Sequence, residues 1–462
     1  MPLEAEMGAR AASRASVAHS GTLTLGAAVF AAALPVLFLH AHFQPGFSVS
    51  VSSTKLDLRL SDLAVLIVGA AALVEGLRHG FSPLRRGLPI WIAAGAFLVF
   101  VVAASFYPLA SDSLYPWKTH LVTAVKYAEY ALLAPAVPLL LRRRSDVTVV
   151  IGALILCSAA ATVAGLAQFF GARILAAWPS GGRQPSFVGV DDFGLLSAAA
   201  FTAAVAIVAL GPQSQVERRL AWIGAVAGCL GAIVSGALAS ILGIGLAAGA
   251  AALVAWHWHA LSLRRGLALG LMVCAVVVGG IFMRSTALGH FANFLGLGKE
   301  TQTGQVESYS HRWVLDYVGL RIFLRHPVLG AGWQGGFDPE TYGPVLPAAH
   351  RRFPAQPALA FPSPQHPWGI QNAYVEALAE LGVVGFLIFA AWIATGLATS
   401  LRTLLRARPA ALQPAMLGLL WILLSAGVWN GLWFIAGIPF DTLIWLGFGL
   451  AGAGVVAAST RA

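Results

Sequence analysis

The chain has 462 residues, of which 58% are hydrophobic and only 10% are charged, and its mean hydropathy is +0.77. Charged residues make up roughly 25% of an average soluble domain, because a soluble surface must be covered with charge. The composition therefore excludes an ordinary soluble enzyme, a disordered chain and a nucleic-acid-binding protein. It predicts an all-α integral membrane protein, in which the 50 glycines favour close contacts between helices.

The formal net charge of +10 fits the same class of protein. In a soluble domain this excess would suggest nucleic acid as a partner. In a membrane protein it reflects the Lys and Arg of cytoplasmic loops. The three cysteines lie far apart in apolar runs, so they predict neither a disulfide framework nor a metal site: Cys157, Cys229 and Cys274.

Twelve apolar windows are long enough to cross the ~30 Å hydrocarbon core, which takes ~20 residues of helix. Residues 1–20 are predicted to form a cytoplasmic tail, 21–284 to hold helices 1 to 9, and 372–462 to hold helices 10 to 12 with a short cytoplasmic tail. A tight turn near Ser235–Ser240 is expected between windows seven and eight. The windows are 21–40, 61–77, 89–106, 120–141, 147–170, 192–210, 220–236, 239–256, 266–284, 372–399, 411–430 and 438–457.

The distribution of Lys and Arg sets the orientation of these helices. With the N-terminus inside, the inner segments carry 16 positive residues and the short outer loops carry five. Both termini are therefore predicted to be cytoplasmic. The inner set is Arg10, Arg14, Arg78, Arg85, Arg86, Arg142, Arg143, Arg144, Arg218, Arg219, Arg264, Arg265, Arg402, Arg406, Arg408 and Arg461, and the outer set is Lys55, Arg59, Lys118, Arg173 and Arg183.

Two opposite charges interrupt the fourth window. Lys126 and Glu129 are three residues apart and share a helix face, so they are expected to neutralise each other. A functional role is the other interpretation, because ionisable residues inside membrane helices often mark a site.

Residues 285–371 form the one long hydrophilic stretch, and the orientation places it outside the cell. It contains a predicted amphipathic helix at 311–325, on which Arg312 and Asp316 share one edge. Arg321 and Arg325 lie about half a turn away. These arginines either face lipid headgroups at the interface or bind an anionic substrate.

The rest of this loop is rich in glycine and proline. Gly330-Ala-Gly-Trp-Gln-Gly335 fits a dinucleotide pattern, but no strand precedes it, so it is interpreted as a glycine turn. Eight prolines between 339 and 367 predict an irregular cover without regular helix. The loop histidines match no metal-binding spacing: His290, His311, His326, His350 and His366.

From Arg312 to Leu381 the chain resembles the signature region of the O-antigen ligase and polysaccharide polymerase family. The segments concerned are His311-Arg-Trp, His326-Pro-Val-Leu-Gly-Ala-Gly and Gln371-Asn-Ala-Tyr-Val-Glu-Ala-Leu-Ala-Glu-Leu-Gly-Val-Val-Gly. The resemblance implies a GT-C type glycosyltransferase with about 12 transmembrane helices and a large extracytoplasmic loop between helices 9 and 10. It implies transfer of a glycan from an undecaprenyl-pyrophosphate carrier to an acceptor hydroxyl of a glycan or glycolipid. The reaction would occur at the outer face of the cytoplasmic (inner) membrane, among membrane lipids, without cofactor, metal or nucleic acid.

A second, shorter resemblance covers Gln168 and the segment from Arg183 to Ser197, with Asp192 where the family usually has asparagine. Arg183 and Arg312 match the two outer arginines of the family and are assigned to the donor pyrophosphate, because a guanidinium offers paired contacts to phosphate oxygens. Aromatic side chains of the loop are expected either to contact sugar or to anchor the loop at the interface. They are Trp333, Phe337, Tyr342, Phe353, Phe361 and Trp368.

The chain departs from the family at Gln371-Asn372, where family ligases usually carry His-Asn. That histidine is thought to assist the acceptor hydroxyl, and glutamine cannot act as a general base. His366 is one candidate for the missing imidazole. Carboxylates are the alternative bases, namely Asp338, Glu376 and Asp192.

Two other functions stay open from the sequence. A multi-pass transporter or lipid flippase also has about twelve helices, but it predicts interrupted helices in matched halves and charges at mid-membrane. A catalytically inactive homologue is the other alternative, because of Gln371. Outward-facing arginines beside a lipid-wide groove favour transfer, whereas a central solvent path favours transport.

Reporter fusions test the orientation. Fusions after residues 144, 265 and 408 are expected to report a cytoplasmic location, and a fusion near residue 345 an external one, because of the Lys and Arg distribution. A cytoplasmic signal at 345 would contradict the topology and the site assignments that depend on it.

Overall fold

The computed structural model describes residues 24–51, 54–110, 113, 115–212, 214–260, 262–297, 306–406, 413–435 and 437–459. Its first half contains α1 Leu25–Leu37, β1 Gly46–Val51, β2 Thr54–Arg59, α2 Leu60–His79, α3 Ser82–Arg86, α4 Leu88–Ala104, α5 Trp117–Tyr130, α6 Leu133–Leu140, α7 Arg144–Phe169, α8 Val190–Leu210 and α9 Gln215–Ser235. Its second half contains α10 Leu238–His257, α11 Leu263–Met283, α12 Ser285–Phe294, α13 Ser308–Arg325, α14 Pro339–Tyr342, α15 Leu346–Arg352, α16 Ala373–Arg406, α17 Gln413–Val428 and α18 Ile438–Ser459.

Nine helices in the described ranges are long and apolar enough to cross a membrane: α2, α4, α7, α8, α9, α10, α11, α16 and α18. This confirms a multi-pass membrane protein. The other three predicted windows contain shorter helices, namely α1, the pair α5 and α6, and α17. Because α1 has 13 residues, it is only ~20 Å long. Twelve spans therefore remain a prediction.

Across the described residues the fold is all-helical, as the composition predicted, apart from one two-stranded hairpin. β1 pairs antiparallel with β2 from Gly46 opposite Arg59 to Val51 opposite Thr54. Alternating residues such as Phe47-Ser-Val49 have the period of two that suits a strand, and the segment is too short and too polar to cross a membrane.

The core of the bundle surrounds α8 and is filled by aromatic side chains. α8 lies against α7, α9, α10 and α17, and nearly nine-tenths (89%) of its apolar window is buried. Nearby, Trp392 stacks on Phe97 and on Phe448, with ring centroids 5.1 Å and 4.5 Å apart. Trp429 and Trp445 are also fully buried in this region.

Lys126, in the fourth window, has a different partner from the one predicted. Lys126 forms an ion pair with Asp62 of α2 rather than with Glu129. Asp62 also accepts a hydrogen bond from the backbone N–H of Arg59, at 2.7 Å. Spacing along one helix showed which charges share a face, but packing against α2 brought a nearer carboxylate to Lys126.

The loop between α11 and α16 is more helical than its prolines predicted. α13 begins at Ser308 instead of 311 and ends at the predicted residue, Arg325. α14 and α15 lie within the proline-rich stretch, and both have proline in the first turn. A helix tolerates proline there because the first N–H groups have no intrahelical partner.

The glycine turn of this loop docks against a break in α16. The N–H groups of Ala331 and Gly332 donate to the carbonyls of Ala379 and Glu380, both at 2.9 Å. α16 is interrupted at Gly382, where φ is +66° and ψ is −171°. A Cβ at Gly382 would lie 2.3 Å from the carbonyl oxygen of Val328. This backbone contact ties the loop to the membrane helix.

Gly382→Ala is expected to destabilise the protein by about 2 kcal/mol or more, because the new methyl group meets backbone and only glycine adopts this conformation readily. The apparent Tm in detergent measures the effect. Gly343→Ala is the matched control, since Gly343 has helical angles and open space around its Cβ position. An unchanged Tm for Gly382→Ala would contradict the docking.

Candidate functional site: an arginine cleft

Three arginines from separate segments line one small cleft. Arg183 comes from the loop between α7 and α8, Arg284 lies at the junction of α11 and α12, and Arg312 lies in α13. Tyr309, one turn before Arg312, also lines the cleft. The cleft therefore combines residues that are 129 positions apart in the chain, from Arg183 to Arg312.

Arg183 is held by contacts on both sides of its guanidinium. Its Nε donates to the carbonyl of Ser235 at 2.6 Å, and its Nη2 pairs with Asp191 at 3.1 Å. The end of α9 makes room for it at Gly236, where a Cβ would lie 3.1 Å from Arg183 Cγ. Burial lowers the pKa of Arg183 from its ordinary value, Asp191 opposes this, and the like charge of Arg284 adds to the lowering.

Tyr309 orients the other two guanidiniums. Arg284 Nε donates to the Tyr309 hydroxyl at 2.9 Å, and its guanidinium carbon lies 4.8 Å from the ring centroid. The guanidinium carbon of Arg312 lies 6.0 Å from the same ring. The aromatic face thus attracts two cations that repel each other.

The cleft has an excess of positive charge. Its lining contains three guanidiniums and one carboxylate, that of Asp191. The first residues of α10, from Leu238 to Ser240, also line it. The N–H groups in the first turn of a helix lack intrahelical acceptors and carry partial positive charge. Guanidiniums beside a helix N-terminus suit an anion with several oxygens, such as a phosphate or pyrophosphate.

A second row of contacts joins α13 to the start of α16. Arg312 Nε donates to Gln371 Oε1 at 3.0 Å, and Asn372 Nδ2 donates to Asp316 Oδ2 at 3.4 Å. Asn372 Oδ1 also accepts from the N–H of Tyr374 at 3.1 Å, which caps α16. Gln371 therefore lies directly beside Arg312, and Asn372 lies beside Asp316.

Asp316 is a half-buried carboxylate with one free oxygen. Its Oδ1 is buried and has no hydrogen-bond partner within the described part of the chain. Burial raises the pKa of Asp316 to about 6, although the hydrogen bond from Asn372 and the charge of Arg312 lower it. A carboxylate with this pKa can accept a proton at neutral pH.

The histidines near this row are arranged around Trp368. His366 is exposed, and its ring stacks on Trp368 with centroids 5.9 Å apart. The other neighbour of Trp368 is His311, which meets it edge to face at 5.1 Å. Burial, followed by the charge of Arg312, lowers the pKa of His311 to about 4. His311 is therefore neutral at pH 7. The ring of Trp368 contacts both histidines.

Two predicted site residues have other surroundings. Glu376 is buried, and its Oε2 accepts from the N–H of Phe434 at 2.6 Å. Trp333 is fully buried, and its Nε1 donates to Thr123 Oγ1 at 3.1 Å. The interpretation of Trp333 as a sugar contact is corrected, because its ring packs in the core against Tyr127.

Four further candidates lie outside the lining of the cleft. Arg321 and Arg325 are exposed on α13, so the structure does not bring them to the other arginines. Asp192 faces Gly437, where a Cβ would lie 3.4 Å from its carboxylate. Its neighbour Asp191 is the carboxylate that pairs with Arg183. Asp338, a candidate base, instead contacts His120 at 3.0 Å.

Sequence reasoning missed Arg284, Tyr309 and Asp191 as cleft residues. One signal for Arg284 was available. It lies at the outer end of a predicted span, and Lys and Arg are uncommon at that end of membrane helices. No comparable signal marks Tyr309. Throughout the described ranges, no group of three or more His, Cys, Asp or Glu side chains is placed to hold a metal ion.

The family model described as O-antigen ligase matches residues 223–390. The matched segment includes Arg284, Tyr309, Arg312 and Gln371, but not Arg183. The match confirms the resemblance to the O-antigen ligase family. No curated protein shows a significant match to the chain.

The cleft is expected to bind inorganic pyrophosphate, and Arg284→Ala is expected to weaken this binding roughly tenfold to a hundredfold, because charge-assisted hydrogen bonds are lost. Calorimetric titration of the purified protein measures the affinity. Arg321→Ala is the control, because Arg321 is an exposed arginine outside the cleft. Equal affinities of the two variants would contradict the assignment of the cleft.

Proposed function

We propose that the protein is a membrane glycosyltransferase of the O-antigen ligase or polysaccharide polymerase type. It moves a glycan from an undecaprenyl-pyrophosphate carrier to an acceptor hydroxyl at the outer face of the cytoplasmic membrane. The observation that carries this proposal is the cleft in which Arg183, Arg284 and Arg312 meet beside the start of α10. The family match over residues 223–390 supports the same reaction class.

The donor pyrophosphate would occupy the cleft. Its two phosphate groups carry negative charge, and cleavage of the bond to the glycan adds charge to the leaving oxygen. Guanidiniums that are already in place stabilise this charge without reorganisation, and such stabilisation often contributes more to catalysis than any other effect. Arg183 and Arg284 are anchored by Ser235 and Tyr309, so they are preorganised for that role.

The acceptor hydroxyl would be activated by Asp316. In this step the hydroxyl oxygen bonds to the anomeric carbon, the bond from that carbon to the pyrophosphate breaks, and the pyrophosphate leaves with the electron pair. The hydroxyl proton passes to the carboxylate of Asp316, a side chain that is only half-buried. This assignment explains why position 371 can be glutamine. Gln371 accepts a hydrogen bond from Arg312 and positions it, and it does not remove a proton.

The outer location is supported by the separation of charges along the helices. α9 and α11 each have 21 residues and are therefore ~31 Å long. Arg218 and Arg265 lie in their first turns, whereas Ser235 and Arg284 lie at the opposite ends beside the cleft. If the basic loops are cytoplasmic, the cleft faces outward.

Transfer is favoured over transport by the interior of the bundle. Large aromatic side chains, including Trp392, Trp429 and Trp445, are fully buried at its centre. A transporter needs a path that alternately opens through this region. The charged cleft lies instead at one end of the bundle.

Arg312→Ala is expected to reduce transfer by ~10²–10³-fold, because one contact to the developing charge is lost. The measurement is transfer from a purified lipid-linked glycan to candidate acceptors in vitro. Arg312→Lys keeps the charge but loses the planar fork, so an intermediate loss is expected. Arg321→Ala on the same helix is the control, and a normal rate for folded Arg312→Ala would refute the proposal.

Asp316→Asn is expected to abolish most of the transfer and to remove the acid limb of the pH–rate profile. A base must be ionised to act, so the wild-type rate should fall as the pH drops through about 6, the raised pKa of Asp316. Glu340→Gln is the control, since Glu340 is an exposed carboxylate of the same loop.

Variants at the histidine positions distinguish the alternatives. His366→Ala should retain both rate and acid limb if Asp316 is the base. If this chain has simply lost the histidine that family ligases carry at position 371, Gln371→His should raise the rate. An acid limb that disappears in His366→Ala and persists in Asp316→Asn would assign the base to His366 instead.

A further inference from the structure

A second cavity lies at the opposite end of the bundle from the arginine cleft. It has a volume of about 260 Å³ and opens between α9 and α11, with walls from α8 and α10. Small side chains on all four helices leave the space unfilled, among them Ala204, Ala221, Ala251 and Ala268. We call this cavity the α9–α11 groove.

The groove exists because side chains of α11 are fully buried only in its second half, whereas Leu269 and Met272, which line the groove, are only partly buried. The buried residues of α11 are Val276 and Gly280. At that end glycine allows close contact, since a Cβ at Gly280 would lie 2.0 Å from Ile241. The first half of α11, from Leu263 onward, has no buried side chain and leaves a gap beside α9.

Two arginines stand at the mouth of the groove. Arg218 and Arg265 line it, and both are exposed near the first turns of α9 and α11. Neither forms an ion pair with any residue that the structure describes. The nearest acidic residue in sequence, Glu217, is occupied by a two-point ion pair with Arg144, at 2.9 Å and 3.0 Å. Among the described residues, the two guanidiniums at the mouth are therefore not paired with a carboxylate.

We propose that the α9–α11 groove binds an anionic phospholipid of the surrounding bilayer. An acyl chain fits the apolar wall, and the two guanidiniums suit the phosphate and a net negative headgroup. Arg218 and Arg265 lie in the first turns of α9 and α11, at the helix ends that the charge distribution predicts to be cytoplasmic, so the lipid is assigned to that leaflet. This site is separate from the donor site, because Arg218 and Ser235 lie 17 residues apart on α9, which corresponds to ~26 Å of helix. It does not depend on the proposed transfer reaction.

Native mass spectrometry of the delipidated full-length protein tests the site. The wild type is expected to bind phosphatidylglycerol about tenfold more tightly than phosphatidylcholine with the same acyl chains. The double variant Arg218→Ala/Arg265→Ala should bind both lipids equally. The matched control is Arg219→Ala/Arg264→Ala, since these arginines are exposed on the same two helices but lie outside the groove.

A second variant tests the apolar wall. Ala268 is exposed on α11, so Ala268→Trp should fold normally while filling the groove and weakening the binding of both lipids. Glycerol 1-phosphate should compete poorly, because it lacks the acyl chain.

Four results would overturn the proposal. These are equal affinity of the wild type for the two lipids, equal loss in both double variants, full competition by glycerol 1-phosphate, and a protein dimer that Ala268→Trp disrupts without any lipid preference. The last result would assign the groove to a second copy of the chain.

Discussion

Three guanidinium groups in one cleft repel one another, and the structure around the cleft is organised to hold them there. Asp191 offsets part of the charge, the Tyr309 ring attracts two of the cations, and the carbonyl of Ser235 fixes Arg183. The start of α10 adds further partial positive charge. An anion with several oxygens would relieve this repulsion, so the cleft is poised for a phosphate-bearing ligand.

The position of α13 depends on a second constraint, which is the docking of the loop on α16. Glu380 is fully buried and accepts from the N–H groups of Gln334 and Gly336, at 2.7 Å and 3.2 Å. Gly382 interrupts α16 where the loop backbone approaches. The loop thus begins at Arg284 and returns to the membrane at a rigid contact. Arg312 is held between these two points, beside Gln371.

The chain separates its two kinds of positive site along the helices. The arginines of the cleft gather at one end of α9 and α11, and Arg218 and Arg265 gather at the other. A pyrophosphate at one end and a phospholipid headgroup at the other would each bind to arginines, which the apolar middle of the bundle lacks. The same two helices therefore connect a proposed reaction site with a proposed lipid site.

The sequence by itself determined the membrane class, the nine helices that are long and apolar enough to cross a membrane, and α13. It also singled out Arg183 and Arg312, both of which line the cleft. These features depend on hydropathy, on periodicity along one helix and on short local motifs, all of which are local in the chain. Only the tertiary structure decided that Arg284 and Tyr309 complete the cleft, that Asp316 and not Asp192 contacts Asn372, and that Trp333 is a core residue. Those facts depend on contacts between segments far apart in the chain, such as Arg312 with Gln371. Side-chain packing determines such contacts, and local sequence patterns do not predict them.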